Sequence, residues 1–230
     1  MIYKAVERED FWGDMQWEVV SSKCSCMSIR NEIMRINQSG LSRLIQKNTF
    51  QNFKTKEDWQ NYIKINAYNY VNKLEGWFFI GGQPGCGKTH ICTAIVGKLL
   101  KDGKSAKYML WQDDITTLKQ VVNDCETYET LMNSFKKSPI LYIDDFFKTR
   151  TGNTVTPADI NATFKIVNYR YNENLPTIIS SELSIHEISE IDEALGSRIM
   201  EMCGDRAIYI KPDKFKNYRY KFGGGAPGGN

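Results

Sequence analysis

Eight consecutive residues, Gly82-Gln83-Pro84-Gly85-Cys86-Gly87-Lys88-Thr89, leave this chain very few folds to adopt. They have the form G-x-x-x-x-G-K-[ST], the Walker A pattern of a loop that wraps nucleotide phosphates. Trp77-Phe78-Phe79-Ile80 runs into the loop as an unbroken apolar stretch, the signature of a buried parallel strand. Ile91, Ile95, Val96 and Leu99 follow it at helical spacing. Strand, glycine loop and helix together are the context in which the pattern carries chemical meaning. Loop N–H groups at the helix N-terminus attract negative charge. Lys88 is expected to reach the β- and γ-phosphates, with Thr89 holding a magnesium ion. Side chains at Gly85 or Gly87 would obstruct the approach of backbone to phosphate.

Length and charge agree with this reading and add little to it. The 230 residues hold one substantial domain and a small appendage. A net charge of +3 permits contact with nucleic acid without arguing for it. No apolar run reaches membrane-spanning length and residues 1–10 lack the apolar core of a signal peptide, so a cytoplasmic protein without membrane partners is expected. Of six cysteines only Cys24 and Cys26 lie close together, with no second pair to complete a zinc site, and the set reads as reduced thiols.

Residues 1–48 look unlike the rest and read as an N-terminal partner-docking segment, or as aromatic cover for the main domain. Phe11, Trp12 and Trp17 stand there without a clear period, and Ile29, Ile33 and Ile36 suggest a short helix ending at Ser39-Gly40. From residue 49 the pattern firms. Trp59, Ile63, Tyr70 and Val71 fit a helix, and Asp102-Gly103 stops the Walker helix. Residues 106–111 read as a strand, with Asp113 or Asp114 capping the helix that carries Ile115, Leu118 and Val122. A helix around Leu131 and Phe135 precedes the strand Ile140-Leu141-Tyr142-Ile143. Thr156, Pro157 and Asp159 form a strong helix start, and Ser184 to Glu187 is a capping box. Residues 176–180 and 207–210 read as further strands, Asp192 as a cap, and the glycine-rich 223–230 as a disordered tail. Strands alternating with helices predict an α/β fold, a parallel sheet flanked by helices, over residues 49–222.

Hydrolysis of a nucleotide needs a second acidic site, to anchor the metal and orient water. Ile140 to Asp145 supplies apolar residues followed by two acids at a strand end, the Walker B pattern. Asp144 is expected to act through the metal and Asp145 to polarise the water. His90 and His186 have no metal-binding companion, and His90 reads as a packing or phosphate-vicinity residue.

Four stretches resemble the AAA+ replicative helicase loaders of the DnaC/DnaI type, phage-encoded members included. They are Gly81 to His90, Ile140 to Lys148 with Asp-Asp in place of Asp-Glu, Asn168 to Glu182, and Ala194 to Ile199, with a weaker echo at Asn48 to Phe53. The likeness spans roughly residues 48–220. It implies a P-loop AAA+ ATPase domain that binds ATP and Mg2+ through Gly82, Pro84, Gly85, Cys86, Gly87, Lys88, Thr89 and His90. It also implies sensor 1 near Ser180-Ser181-Glu182. Glu182 stands where many loaders have Asn, and its carboxylate would repel phosphate unless magnesium or an arginine intervenes, which leaves Ser181 as the polar contact. Arg198 resembles the arginine finger given to a neighbouring subunit, and Arg219 resembles the sensor 2 arginine acting in cis. The segment Phe146 to Tyr171 resembles the helical insertion of initiators and loaders, where Lys148 and Arg150 would meet a DNA backbone. The implied function is ATP-dependent loading of a replicative DnaB-type helicase onto single-stranded DNA, by a protein that forms homo-oligomers when active. A transposition-helper ATPase shares the same domain. A nucleotide kinase is a different class, and no arginine-rich lid is visible. A nucleotide-binding adaptor with slow hydrolysis also fits, because the side chain of Asp145 is shorter than Glu.

Overall fold

The computed structural model describes residues 2–9, 15–22, 34, 37, 41–149 and 154–218. Five strands form one parallel sheet: β3 (Trp77–Gly82), β4 (Lys107–Leu110), β5 (Leu141–Phe146), β6 (Thr177–Ser181) and β7 (Ala207–Ile210). Their order across the sheet is β4-β5-β6-β3-β7. β6 is thus central with β3 and β5 on either side of it, and the C-terminal ends of these three strands meet along one edge, where open α/β sheets bind their ligands.

Both faces of the sheet are covered, which is why its strands read as continuous apolar runs. On one face Phe78, Ile80, Tyr142, Ile178 and Ile208 pack against α1 (Ser42–Lys47), α2 (Asp58–Asn72) and α3 (Lys88–Lys101). On the other, Trp77, Phe79, Leu141, Ile143 and Ile179 pack against α4 (Trp111–Gln120), α5 (Cys125–Lys136), α6 (Pro157–Asn172), α7 (Ile185–Ile191) and α8 (Glu193–Cys203). Each fully buried large apolar side chain contributes about 1.5–3 kcal/mol relative to exposure. Leu41 and Ile45 are buried in the first of these cores, so the sheet domain starts before residue 48.

The helix ends follow local chemistry. Thr156 and Ser184 form reciprocal capping boxes with Asp159 and Glu187, and Asp192 accepts from the Leu195 N–H at 2.7 Å. At the far end of α3, Gly103 adopts φ +86° and Lys104 N–H donates to Leu99 O at 2.9 Å.

Three local expectations are corrected. Trp111 opens α4 rather than closing a strand, and its indole N–H donates to Thr163 Oγ1 at 2.9 Å. Asp113 and Asp114 lie inside the first turn of α4, where the dipole favours them, and the N-cap position falls on Leu110 instead. Within residues 1–48, β1 (Ile2–Glu9) and β2 (Met15–Ser22) form an antiparallel hairpin where no regular structure was expected. Phe11, Trp12, Cys24, Cys26, Ile29, Ile33, Ile36, Arg150, Arg219 and the tail 223–230 lie outside the described residues, as does the side chain of Trp17.

One buried cation ties the far end of the sheet together. Arg170 of α6 is fully buried and donates to the carbonyls of Phe135, Lys136, Ser138 and Pro176, and to Thr177 Oγ1. The exposed carbonyls at the end of α5 thereby receive a positive partner.

Candidate nucleotide-binding site

The Walker loop leaves β3 at Gly82 and enters α3 at Lys88. Gly87 holds φ +97°, a left-handed conformation, and an added Cβ would lie 3.3 Å from Phe53. A bulkier residue there would strain the loop and press on that ring. Lys88 is buried, and its Nζ donates to Gly82 O at 2.6 Å and Gln83 O at 3.0 Å. Among the described residues no carboxylate pairs with this ammonium. A buried cation without a counter-charge, beside the N-terminus of α3, suits a phosphate group.

Asp144 lies opposite, at the end of β5. Its Oδ1 accepts from Thr89 Oγ1 at 3.2 Å, from the Asp145 N–H at 3.2 Å and from Ser180 Oγ, and its Oδ2 accepts from Tyr108 OH at 3.2 Å. Four donors fix a nearly buried carboxylate beside a hydroxyl, a hard oxygen pair suited to magnesium. Burial and the neighbouring Asp144 charge push the Tyr108 phenol far above its ordinary pKa, so it stays a donor.

A bulge separates the two acids from the ladder. Ile143 pairs with Ile179 and Phe146 with Ser181, so three steps on β5 face two on β6. Asp145 takes φ +53° there and Phe147 φ +59°. Such bulges re-aim side chains. Asp145 thereby lines the cleft, and Lys148 Nζ lies 3.1 Å from its Oδ2 and 2.9 Å from Glu182 Oε1. Burial opposes the Lys148 charge, but these carboxylates outweigh it and raise its pKa.

The cleft holds about 760 Å³ and is lined by residues of the Walker loop, α1 and the ends of β5 and β6, Leu44, Asn48 and Tyr218 among them. His90 lines it too, its Nε2 2.9 Å from Thr49 O and its ring edge-on to Phe53. The segment after β7 is strapped over the loop. Gln83 exchanges two hydrogen bonds with the backbone of Asp213, at 2.7 and 2.6 Å, and Tyr218 N–H donates to Gly85 O at 3.0 Å.

Of the residues singled out from sequence, Pro84, Gly85, Gly87, Lys88, Thr89, His90 and Asp145 converge on the cleft, and Gly82 and Asp144 support it. Cys86 is buried beneath the loop. Ser181 is not brought to the cleft: it is buried, donates to Phe146 O at 2.7 Å and accepts from Leu183 N–H. Its neighbour Ser180 reaches Asp144 instead. Arg198 lies away from the cleft of its own chain, 5.2 Å from the centroid of Phe164 and 5.3 Å from that of Tyr171, with Nη1 donating to Ala194 O. Sequence reasoning missed Ser180, Tyr108 and the Lys148 bridge. Only the serine pair at a strand end offered a signal for them.

The model of the IstB-like ATP binding protein family matches residues 20–211. The chain belongs to this IstB-like ATP-binding family. Two relatives illustrate its range. The chain is 32% identical over 217 residues to the uncharacterized protein YqaM of Bacillus subtilis, covering 89% of this chain and 68% of that one. It is 28% identical over 169 residues to the replicative helicase loader DnaC of Escherichia coli K12, covering 72% of this chain and 66% of the loader. The crystal structure of the DnaC helicase loader superposes with a TM-score of 0.60 at 20% identity, over 74% of this chain and 99% of that one. The P-loop AAA+ fold of this IstB-like protein follows from that likeness together with the parallel sheet. No helix among the described residues is long and apolar enough to cross a membrane, and none of them cluster as a separate metal site.

Proposed function

We propose that this protein is an ATPase that binds ATP with Mg2+ and loads a replicative DnaB-type helicase onto single-stranded DNA. The observation that carries the nucleotide part is the convergence of the unpaired Lys88 ammonium and the Thr89–Asp144 pair on one cleft. The loader part is supported by the likeness to the E. coli helicase loader. Magnesium, held between Thr89 and Asp144, would supply charge neutralisation at the phosphates. Lys88 binds the phosphate oxygens through charge-assisted hydrogen bonds. Asp145 accepts a proton from the attacking water, and its short side chain, already paired with Lys148, makes turnover slow. Arg198 completes the site of a neighbouring subunit in a homo-oligomer, and Arg219 serves the site of its own chain.

The direct test is size-exclusion chromatography of the purified protein with the replicative helicase of the same cell, in ATP and magnesium. A complex is expected with wild type and not with Lys88→Ala, which removes the phosphate-facing charge. No complex under any nucleotide condition would overturn the loader reading. One observation favours a second reading: the matching family model is the IstB-like one, so a transposition-helper role on double-stranded DNA is the alternative. ATPase stimulation by double-stranded but not single-stranded DNA would select it.

A further inference from the structure

Two acids and one lysine occupy the same wall of the cleft. Asp145, Lys148 and Glu182 all line it, and the lysine bridges the two carboxylates at 3.1 and 2.9 Å. A pair of carboxylates at a phosphate site is a liability, since each repels the anion. Lys148 offsets one of them. Lys88, also in the lining, is already engaged by Gly82 O and Gln83 O. Lys148 is the lining cation that sits with the acids at the ends of β5 and β6.

The geometry gives Lys148 a fixed base and a partly exposed, ion-paired head. Its backbone N–H donates to Asp145 O at 3.0 Å, closing a tight turn. The adjacent Phe147 ring stacks on Phe146 at 4.4 Å and meets Trp111 edge-on at 5.3 Å, which pins the turn to the core. The lysine side chain is 36% exposed, and its ammonium is shared between two partners. Shared, water-accessible ion pairs are individually weak. A terminal phosphate, with up to two negative charges shared over three oxygens, competes for such an ammonium more effectively than either carboxylate.

We propose that Lys148 is the residue that discriminates a nucleoside triphosphate from a diphosphate in this cleft. With a diphosphate its ammonium stays between Asp145 and Glu182. With a triphosphate it turns to the terminal phosphate, which releases Asp145 towards water. Glu182 is the counter-ion that holds Lys148 in waiting, and that is the use of a carboxylate at this strand end. This inference rests on the nucleotide reading above and goes beyond it.

The test is equilibrium binding of ATPγS and of ADP, each with magnesium, by titration calorimetry on the full chain. Lys148→Met is expected to weaken ATPγS by about tenfold or more, the loss of one charged hydrogen bond, and to change ADP by less than about twofold. Lys148→Arg should restore the difference. Lys148→Met/Glu182→Gln should regain only the part of the ATPγS affinity lost to the repelling carboxylate, and stay weaker than Glu182→Gln alone because the charged hydrogen bond is still missing. Glu182→Gln alone should tighten ATPγS, so a poorly folding Lys148→Met does not block the test. Equal loss for both nucleotides, or no loss for either, overturns the assignment. Wild type that binds neither nucleotide would instead sink the nucleotide reading itself.

Discussion

Thr89 Oγ1 donates to Asp144 Oδ1 across 3.2 Å, which joins the first turn of α3 to the end of β5. Asp144 also accepts from Ser180, Tyr108 and the Asp145 N–H. Asp144→Asn keeps the shape and removes the charge that would hold magnesium. The expected outcome is that nucleotide affinity in magnesium falls to its value in a chelator, while wild type loses affinity when the metal is removed. A fluorescent ATP analogue titrated with and without EDTA reads this. Full metal dependence in Asp144→Asn would place the metal elsewhere. The variant should also lose about 1–2 kcal/mol of stability, since the amide nitrogen meets donors that the carboxylate accepted from.

His90 gives a pH signature. Burial disfavours its imidazolium and lowers its pKa in the folded chain, with the Thr49 carbonyl offsetting only part of this. As pH falls below the ordinary histidine value of about 6.5, the unfolded chain takes up a proton before the folded one. Stability from this residue is therefore complete above that value. It falls as pH drops towards the lowered folded value, and levels off below it. Thermal melts between pH 8 and pH 5 should show a lower Tm on the acid side of this window. His90→Gln, which keeps a donor for Thr49 O, should flatten that part of the curve. An unchanged slope would assign the acid sensitivity to other groups.

Arg170 predicts the largest stability effect far from the cleft. Its guanidinium satisfies four carbonyls and two hydroxyls in a fully buried position. Arg170→Met fills much of the volume and leaves those carbonyls without donors, at about 1–3 kcal/mol for each that stays dry. With water reaching some of them, a net loss of roughly 4 kcal/mol is expected. That corresponds to about 8–16 °C in Tm for a domain of this size. Urea denaturation measures it, and a loss below about 1 kcal/mol would show that the carbonyls find other partners. Nucleotide affinity of the folded fraction should not change.

The parts of the molecule that were legible in the sequence are those where a local pattern and its flanks agree. The Walker loop is legible because an apolar run precedes it and a helical period follows, and both acids of β5 end a run of four apolar residues. The caps at Thr156, Ser184 and Asp192 are legible because a cap is a contact over three residues. The hairpin β1–β2 was not legible. In sequence Ile2, Lys4, Val6 and Arg8 put apolar and basic residues at the same alternate positions, so no amphipathic period stands out. Nor was the choice between Ser180 and Ser181. A one-residue bulge in the partner strand decides which hydroxyl faces Asp144, and nothing in β6 itself encodes that bulge. The Lys148 bridge joins residues 34 positions apart through the turn after β5, and a sequence shows its three charges without their meeting.

Arg198 separates folding from assembly. In the single chain its guanidinium lies against Phe164 and Tyr171, outside the cleft, and its Nε is buried without a hydrogen-bond partner among the described residues. A finger that serves a neighbouring subunit must be absent from its own site, and this position meets that requirement. The two ring contacts together are worth about 1–2 kcal/mol, so Arg198→Ala should lower Tm by a few degrees. Binding of ATPγS to the monomer should stay within about twofold of wild type, because no nucleotide contact in the same chain is lost. Hydrolysis in the assembled state should drop by about a thousandfold, the usual contribution of such an arginine to phosphoryl transfer. Arg198→Lys keeps the charge but loses the flat stack and the forked donors, so it should restore little of the rate. Mixing Arg198→Ala with Lys88→Ala provides the decisive measurement. Each variant alone is inactive, yet a mixed assembly contains interfaces that pair an intact Lys88 site with an intact Arg198. Recovered ATPase in the mixture is the expected result. A mixture as inactive as its components, or full activity of Arg198→Ala alone, would remove Arg198 from the site.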